Sequence, residues 1–149
     1  MPGYPPLSTQ VIGQAESALG ALMEPLLASG DITFDQWLVL TVTAASGGSA
    51  DRGQLVARIS DARKVGAAAI ETAIAELAAA GLVTAEGPVA FTDAGQGAYR
   101  RIRGAVEEIT AGLFDFPPEE LAAAGRVLSI VTARANAILA TQRAGVTPA

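Results

Sequence analysis

Residues 76–103, ELAAAGLVTAEGPVAFTDAGQGAYRRIR, decide the fold. Alanine-rich helical periodicity runs into Gly81, where a glycine can take the left-handed conformation that closes a helix at little cost. Leu82, Val83 and Thr84 then read as a strand, Gly87 and Pro88 as a tight turn, and Val89 to Phe91 as the returning strand. Thr92 or Asp93 caps the helix that follows. The predicted order is helix, two-stranded ribbon, helix.

Outward from this stretch the chain is helical on both sides. Helix one is predicted over residues 7–28, with Val11, Ala15, Leu19, Leu22 and Leu26 on one face and Pro25 ending or kinking it. Helix two has a capping box, Thr33 with Gln36, and Ile32 and Trp37 at the two staple positions; it runs to about Ala45 and breaks at Gly47-Gly48. A short third helix is expected over residues 51–59 and a fourth from Arg63 or Lys64 to Ala80, with Ile70, Ile74 and Leu77 at core spacing. On these bounds the connection between Ile59 and Ile70 exceeds a standard helix-turn-helix turn. Helix five, residues 93–113, carries Ala98, Ile102, Ala105 and Ile109 in a stripe. Phe116-Pro117-Pro118 interrupts the chain, and proline with two acids restarts it. In the last helix Leu121, Ala124, Leu128, Val131, Ala135 and Ile138 recur at alternating spacings of three and four, a heptad seam suited to lengthwise packing.

A helix followed by a two-stranded wing and another helix is the DNA-binding half of a winged-helix protein. At these residues the chain resembles the MarR family of bacterial transcriptional regulators. AELAAAGLV looks like the end of that family's recognition helix and the start of its wing. FTDAGQGAYRRIRGAVEEITAGLF looks like its post-wing helix, and PPEELAAAGRVLSIVTARANAIL like its last. The resemblance spans residues 7–139 in element order, and FTDAG and the GLV after the helix come nearest to motifs. It implies a mainly α (α+β) fold: one domain over residues 1–149, a winged helix-turn-helix lobe with a two-stranded wing at 31–93, and N- and C-terminal dimerisation helices at 7–30 and 94–142. Val11, Leu121, Leu128, Val131 and Ile138 would line the interface of a homodimer.

Composition narrows the alternatives. With 149 residues, half of them hydrophobic and 17% charged, the chain is long and apolar enough for a packed core. No run approaches 18 apolar residues, and MPGYPPLST lacks a basic segment leading into an apolar one, so no membrane span or signal peptide is expected and the location is cytoplasmic. There is no cysteine and no histidine, which removes thiolate nucleophiles, Ser-His-Asp triads and imidazole metal sites. Glu107-Glu108 and Glu119-Glu120 read as solvated helical acids. Neither enzyme activity, cofactor nor metal is expected. The net charge is −5, yet residues 51–103 hold seven bases against six acids. The bases therefore gather in the winged lobe.

In a helix-turn-helix the second helix offers its outer face to base edges in the major groove. Arg52, Arg58, Arg63 and Lys64 are the expected phosphate contacts, with the Arg100, Arg101 and Arg103 cluster as further candidates that read also as a solvated face, and Ala68 and Thr72 face the bases. The outer face of helix four reads Lys64, Ala68, Thr72, Ala75 and Ala79, where the resembled family usually shows Ser, Thr and Arg. The wing, TAEGPVA, has Glu86 and no base, where the family commonly carries an Arg-bearing loop. The resemblance further implies an effector site between the dimerisation helices and the DNA-binding lobe, for which Met23, Phe34, Trp37 and Tyr99 are the available apolar lining. Trp37 reads more readily as the staple and core anchor of helix two. The expected function is a dimeric repressor that binds operator DNA and is tuned by a small apolar or aromatic effector. The alternative is a relative with a decayed DNA-reading surface, acting as a ligand-binding or protein-interaction dimer.

Overall fold

The computed structural model describes residues 3–145, which form two compact units: one up to Ile109, the other from Thr110 onward. The order is α1 (Thr9–Ser29), α2 (Phe34–Ala45), β1 (Ser49–Ala50), α3 (Arg52–Arg63), α4 (Ala67–Ala79), β2 (Val83–Thr84), β3 (Val89–Phe91), α5 (Asp93–Thr110) and α6 (Pro118–Gly145). Among the described residues no helix is long and apolar enough to cross a membrane.

In the first unit α2, α3 and α4 pack around Val39, Leu40, Thr43, Leu55, Ile70, Ile74 and Leu77, and Val89 of the sheet closes the core. The capping box at the start of α2 is formed in both directions: Gln36 N donates to Thr33 Oγ1 at 3.2 Å and Thr33 N to Gln36 Oε1 at 3.1 Å. α1 does not stop at Pro25 but runs one more turn to Ser29. Its core contact is made by Leu27, fully buried, and Met23, half-buried, while Leu19 and Leu22 of the predicted stripe stay 39% and 40% exposed.

α5 ends at Thr110 rather than near Leu113, and two larger differences from the sequence reading bear on the site. α3 extends to Arg63 and closes with Lys64 in the left-handed conformation (φ 56°). Lys64 N donates to Asp61 O and Val65 N to Ser60 O, the paired bonds of a Schellman stop. A glycine is the usual signal for this stop, and its absence hid it. The α3–α4 connection is therefore residues 64–66, an ordinary helix-turn-helix turn, and Lys64 belongs to the end of α3 rather than to the outer face of α4.

The second difference is β1, a strand of two residues after the left-handed Gly47 and Gly48. It pairs antiparallel with β3, Ser49 opposite Ala90, and β3 pairs with β2, Val83 opposite Phe91, so the wing's two strands belong to a three-stranded sheet ordered β1-β3-β2. Gly87, at φ 107°, makes the wing turn. The FTDAG stretch has a physical reason. Thr92 Oγ1 accepts from Gly95 N at 3.0 Å, starting α5, and donates to Gly81 O at 2.6 Å, tying α5 to the end of α4. At Gly95 a Cβ would stand 1.7 Å from the Leu82 carbonyl oxygen, so only glycine allows α5 to cross the base of the wing.

In the second unit α6 buries none of its residues. Leu121, Leu128 and Val131 are 38–40% exposed and Ile138 60%.

Candidate nucleic-acid interface and effector clefts

α4 follows a three-residue turn and holds Ile70, Ala73, Ile74 and Leu77 inward. Its outer face is Ala68, Thr72, Ala75 and Ala79, all exposed at the 4-3-4 spacing of one helical stripe. Thr72 is the one hydrogen-bonding side chain on that stripe. The two acids of α4 are turned to the scaffold. Glu71 Oε2 accepts from Arg52 Nε at 2.9 Å and Nη2 at 2.5 Å, while Arg52 Nη1 donates to the wing carbonyl of Ala85 at 3.1 Å. Glu76 Oε2 accepts from Gln36 Nε2 at 2.5 Å. Arg52 thus links the start of α3, the middle of α4 and the wing, and Gln36 links the start of α2 to α4.

The expected DNA contacts divide accordingly. Ala68 and Thr72 share one exposed face. Arg58 is exposed, with no partner among the described residues. Arg52 is engaged as described, and Lys64 Nζ lies 3.4 Å from Asp61 Oδ1. Arg63 is engaged on the α2 side: its Nε donates to Asp35 Oδ1 at 3.2 Å and its guanidinium carbon stands 4.8 Å from the centre of the Phe34 ring. On α5, Arg100 and Arg101 are exposed and unpaired among the described residues. Arg103 donates to Glu107 Oε1 at 2.9 Å and to Tyr99 Oη at 2.6 Å. Those two bonds, Glu107 first, hold its guanidinium still more firmly protonated than an arginine ordinarily is.

The four residues expected around an effector fall in three places. Met23 and Phe34 line one cleft of about 430 Å³, with Leu27, Ile32 and Arg63. Tyr99 lines another of about 360 Å³, between the end of α2 and α5, beside Phe91 and Arg103. Trp37 lines neither. It is 8% exposed and stacks on Tyr99 with ring centroids 5.4 Å apart, a core position. Among the described residues no group of acids is placed to hold a metal ion.

Sequence reasoning missed the long-range ties, Arg52 with Glu71 and Gln36 with Glu76, because partners 19 and 40 residues apart leave no local pattern.

No protein-family profile matches the chain, and no curated protein does. Solved structures do. NadR in complex with 4-hydroxyphenylacetate superposes at a TM-score of 0.66 with 22% identity, covering 88% of this chain and 97% of that one. A MarR family protein from Bacillus stearothermophilus gives 0.62 at 15% identity, over 85% and 91%. The Mycobacterium tuberculosis MarR family protein Rv2887, in complex with DNA, gives 0.57 at 19% identity, over 87% and 98%. With its helix-turn-helix, its wing and its flanking helices, the chain has the winged-helix fold of the MarR-family transcriptional regulators.

Proposed function

We propose that this protein is a dimeric transcriptional regulator that binds operator DNA through α4 and is tuned by a small apolar or aromatic effector. The observation that carries it is the standard three-residue turn delivering an exposed α4 beside a formed wing, the arrangement that enters a major groove. Rv2887, with the same fold, has been solved on DNA, and NadR with 4-hydroxyphenylacetate. Residues 31–93 act as the DNA-binding lobe of a single MarR-like domain. Dimerisation uses residues 7–30 and 94–142, with Val11 of α1 and Leu121, Leu128, Val131 and Ile138 of α6. In support, Leu19 and Leu22 of the α1 stripe and the α6 seam are left open to solvent in the single chain, with Val11 half-buried, a pattern that marks an interface. Arg52, Arg58, Arg63 and Lys64 serve as phosphate contacts and Ala68 and Thr72 face the bases. The effector lies against Met23, Phe34 or Tyr99. A cytoplasmic location and a repressing sign of control go with this reading.

A second reading is favoured by the outer face of α4. Three alanines and one threonine make few of the bidentate base contacts worth about 1–3 kcal/mol each, and three of the four basic residues are paired within the chain. On that reading the DNA-reading surface has decayed and the dimer serves ligand or protein binding. A fluorescence-anisotropy titration with duplex from upstream of the protein's own gene, beside random duplex, separates the two. Binding supports the regulator, and no binding to any duplex at low salt supports the decayed reader.

A further inference from the structure

The cleft of about 430 Å³ between α1, the start of α2 and the end of α3 has an apolar floor of Met23, Leu27, Ile32 and Phe34. Its α1 wall carries Glu16 and Glu24, eight residues or about 12 Å apart along the helix. Both are exposed, and neither has a partner among the described residues. Gly20 lies midway between them, with open space where its Cβ would stand, so the wall is notched between two carboxylates. Opposite, Arg63 rests over the Phe34 ring at 4.8 Å and against Asp35 at 3.2 Å. An aromatic face beside a carboxylate is a seat for a cation. The chain's own arginine sits in it.

We propose that this cleft binds a hydrophobic cation, an apolar or aryl body bearing an ammonium-type head, which displaces Arg63 from Phe34 and Asp35. Charge decides the class. An anion would meet two unpaired carboxylates, and its one counter-charge, Arg63, is already neutralised by Asp35. A cation gains the ring face and a carboxylate while its body covers the apolar floor. The consequence reaches α4, because Arg63 is the last residue of α3 and the next residue is the left-handed Lys64 that opens the turn. Freeing Arg63 loosens the α3 end that sets the direction of α4. The ligand class stands by itself; its effect on DNA rests on the regulator reading above.

The test is calorimetric titration of the full chain with 4-phenylbutyltrimethylammonium, beside 5-phenylpentanoate and 4-phenylbutanol, which share its apolar body. The cation should bind once per chain and about tenfold more tightly than the other two. Glu16→Gln with Glu24→Gln should narrow that preference, adding Asp35→Asn should erase it, and Met23→Trp, which fills the cleft, should abolish binding. Arg63→Ala, by vacating the seat, should tighten the cation severalfold. Equal binding of all three probes, preference for the anion, or loss of cation binding in Arg63→Ala overturns the proposal. In parallel, the saturating cation should change duplex affinity severalfold in the anisotropy assay. Cation binding with unchanged duplex affinity overturns the link through Arg63. Cation binding by a protein that holds no duplex leaves the ligand assignment standing and removes the regulator.

Discussion

α4 and α6 are both rich in alanine, yet they are completed in opposite ways. α4 buries Ile70, Ala73, Ile74 and Leu77 and is moored at two points by polar side chains, Glu71 to Arg52 and Glu76 to Gln36. α6 buries nothing, and its described side-chain hydrogen bonds, Thr132 to the Leu128 carbonyl and Thr141 to the Ala137 carbonyl, stay within the helix. Composition cannot separate such helices. What separates them is whether the apolar stripe finds its cover within its own compact unit, and in α6 the heptad spacing calls for another helix.

Replacing Leu128 and Val131 together with Asp should have the largest effect. Sedimentation should show loss of the dimer, and an unchanged folded dimer would refute an interface at α6. Next in size is a matched pair. Ile74→Ala, fully buried in α4, should lower unfolding stability by about 2–5 kcal/mol at every protein concentration. Leu128→Ala should instead lower the melting temperature, relative to the parent, by an amount that grows as the protein is diluted, because its cost lies in association. If both losses are independent of concentration, the contrast between the helices is false.

Smaller effects test the outer face of α4. With at most Arg52, Arg58, Arg63 and Lys64 from each of two subunits, three of the four held in ion pairs until DNA competes for them, the log–log salt slope of DNA binding should be no steeper than about −7. Arg63→Ala with Lys64→Ala should flatten it and weaken all sequences alike. Thr72→Ala should cost about 1 kcal/mol on the specific site and nothing on random duplex. A steep slope with strong sequence preference would mean that bases on α5, such as Arg100 and Arg101, also reach the duplex. The smallest effect should be the Arg52–Glu71 coupling. The pair is 38% and 44% exposed, so a double-mutant cycle on stability should return about 0.5 kcal/mol after solvent screening. Its larger signature should be in the wing, where Arg52→Ala frees the Ala85 carbonyl and should speed amide exchange at β2.

The parts of this architecture that were legible in the sequence are those whose causes are local. Thr33 and Gln36 are three residues apart, and their reciprocal bonds can be read from the letters. The same holds for Gly81 as a helix stop, while the cap of α5 was narrowed to Thr92 or Asp93 and the fold selects Thr92. β1 was not legible, because two residues are too few for an alternating pattern and their partner strand lies some 40 residues on. The end of α3 was hidden because a lysine took the left-handed position that usually declares itself as glycine or asparagine. At the candidate site, the sequence grouped Met23, Phe34, Trp37 and Tyr99 around one effector and put Arg63 with the DNA contacts, whereas the fold brings only Met23 and Phe34 to one cleft. Only folding shows that Arg63 turns toward Asp35 and Phe34.

The amide of Gln36 works at both ends, its oxygen closing the cap of α2 and its nitrogen holding Glu76 of α4. Capping boxes elsewhere accept glutamate as readily as glutamine. Here that exchange would set a carboxylate against the Glu76 carboxylate, and one of the two would have to keep its proton or swing away. A substitution that is silent in most helices would therefore cost this one its tie between the start of α2 and α4.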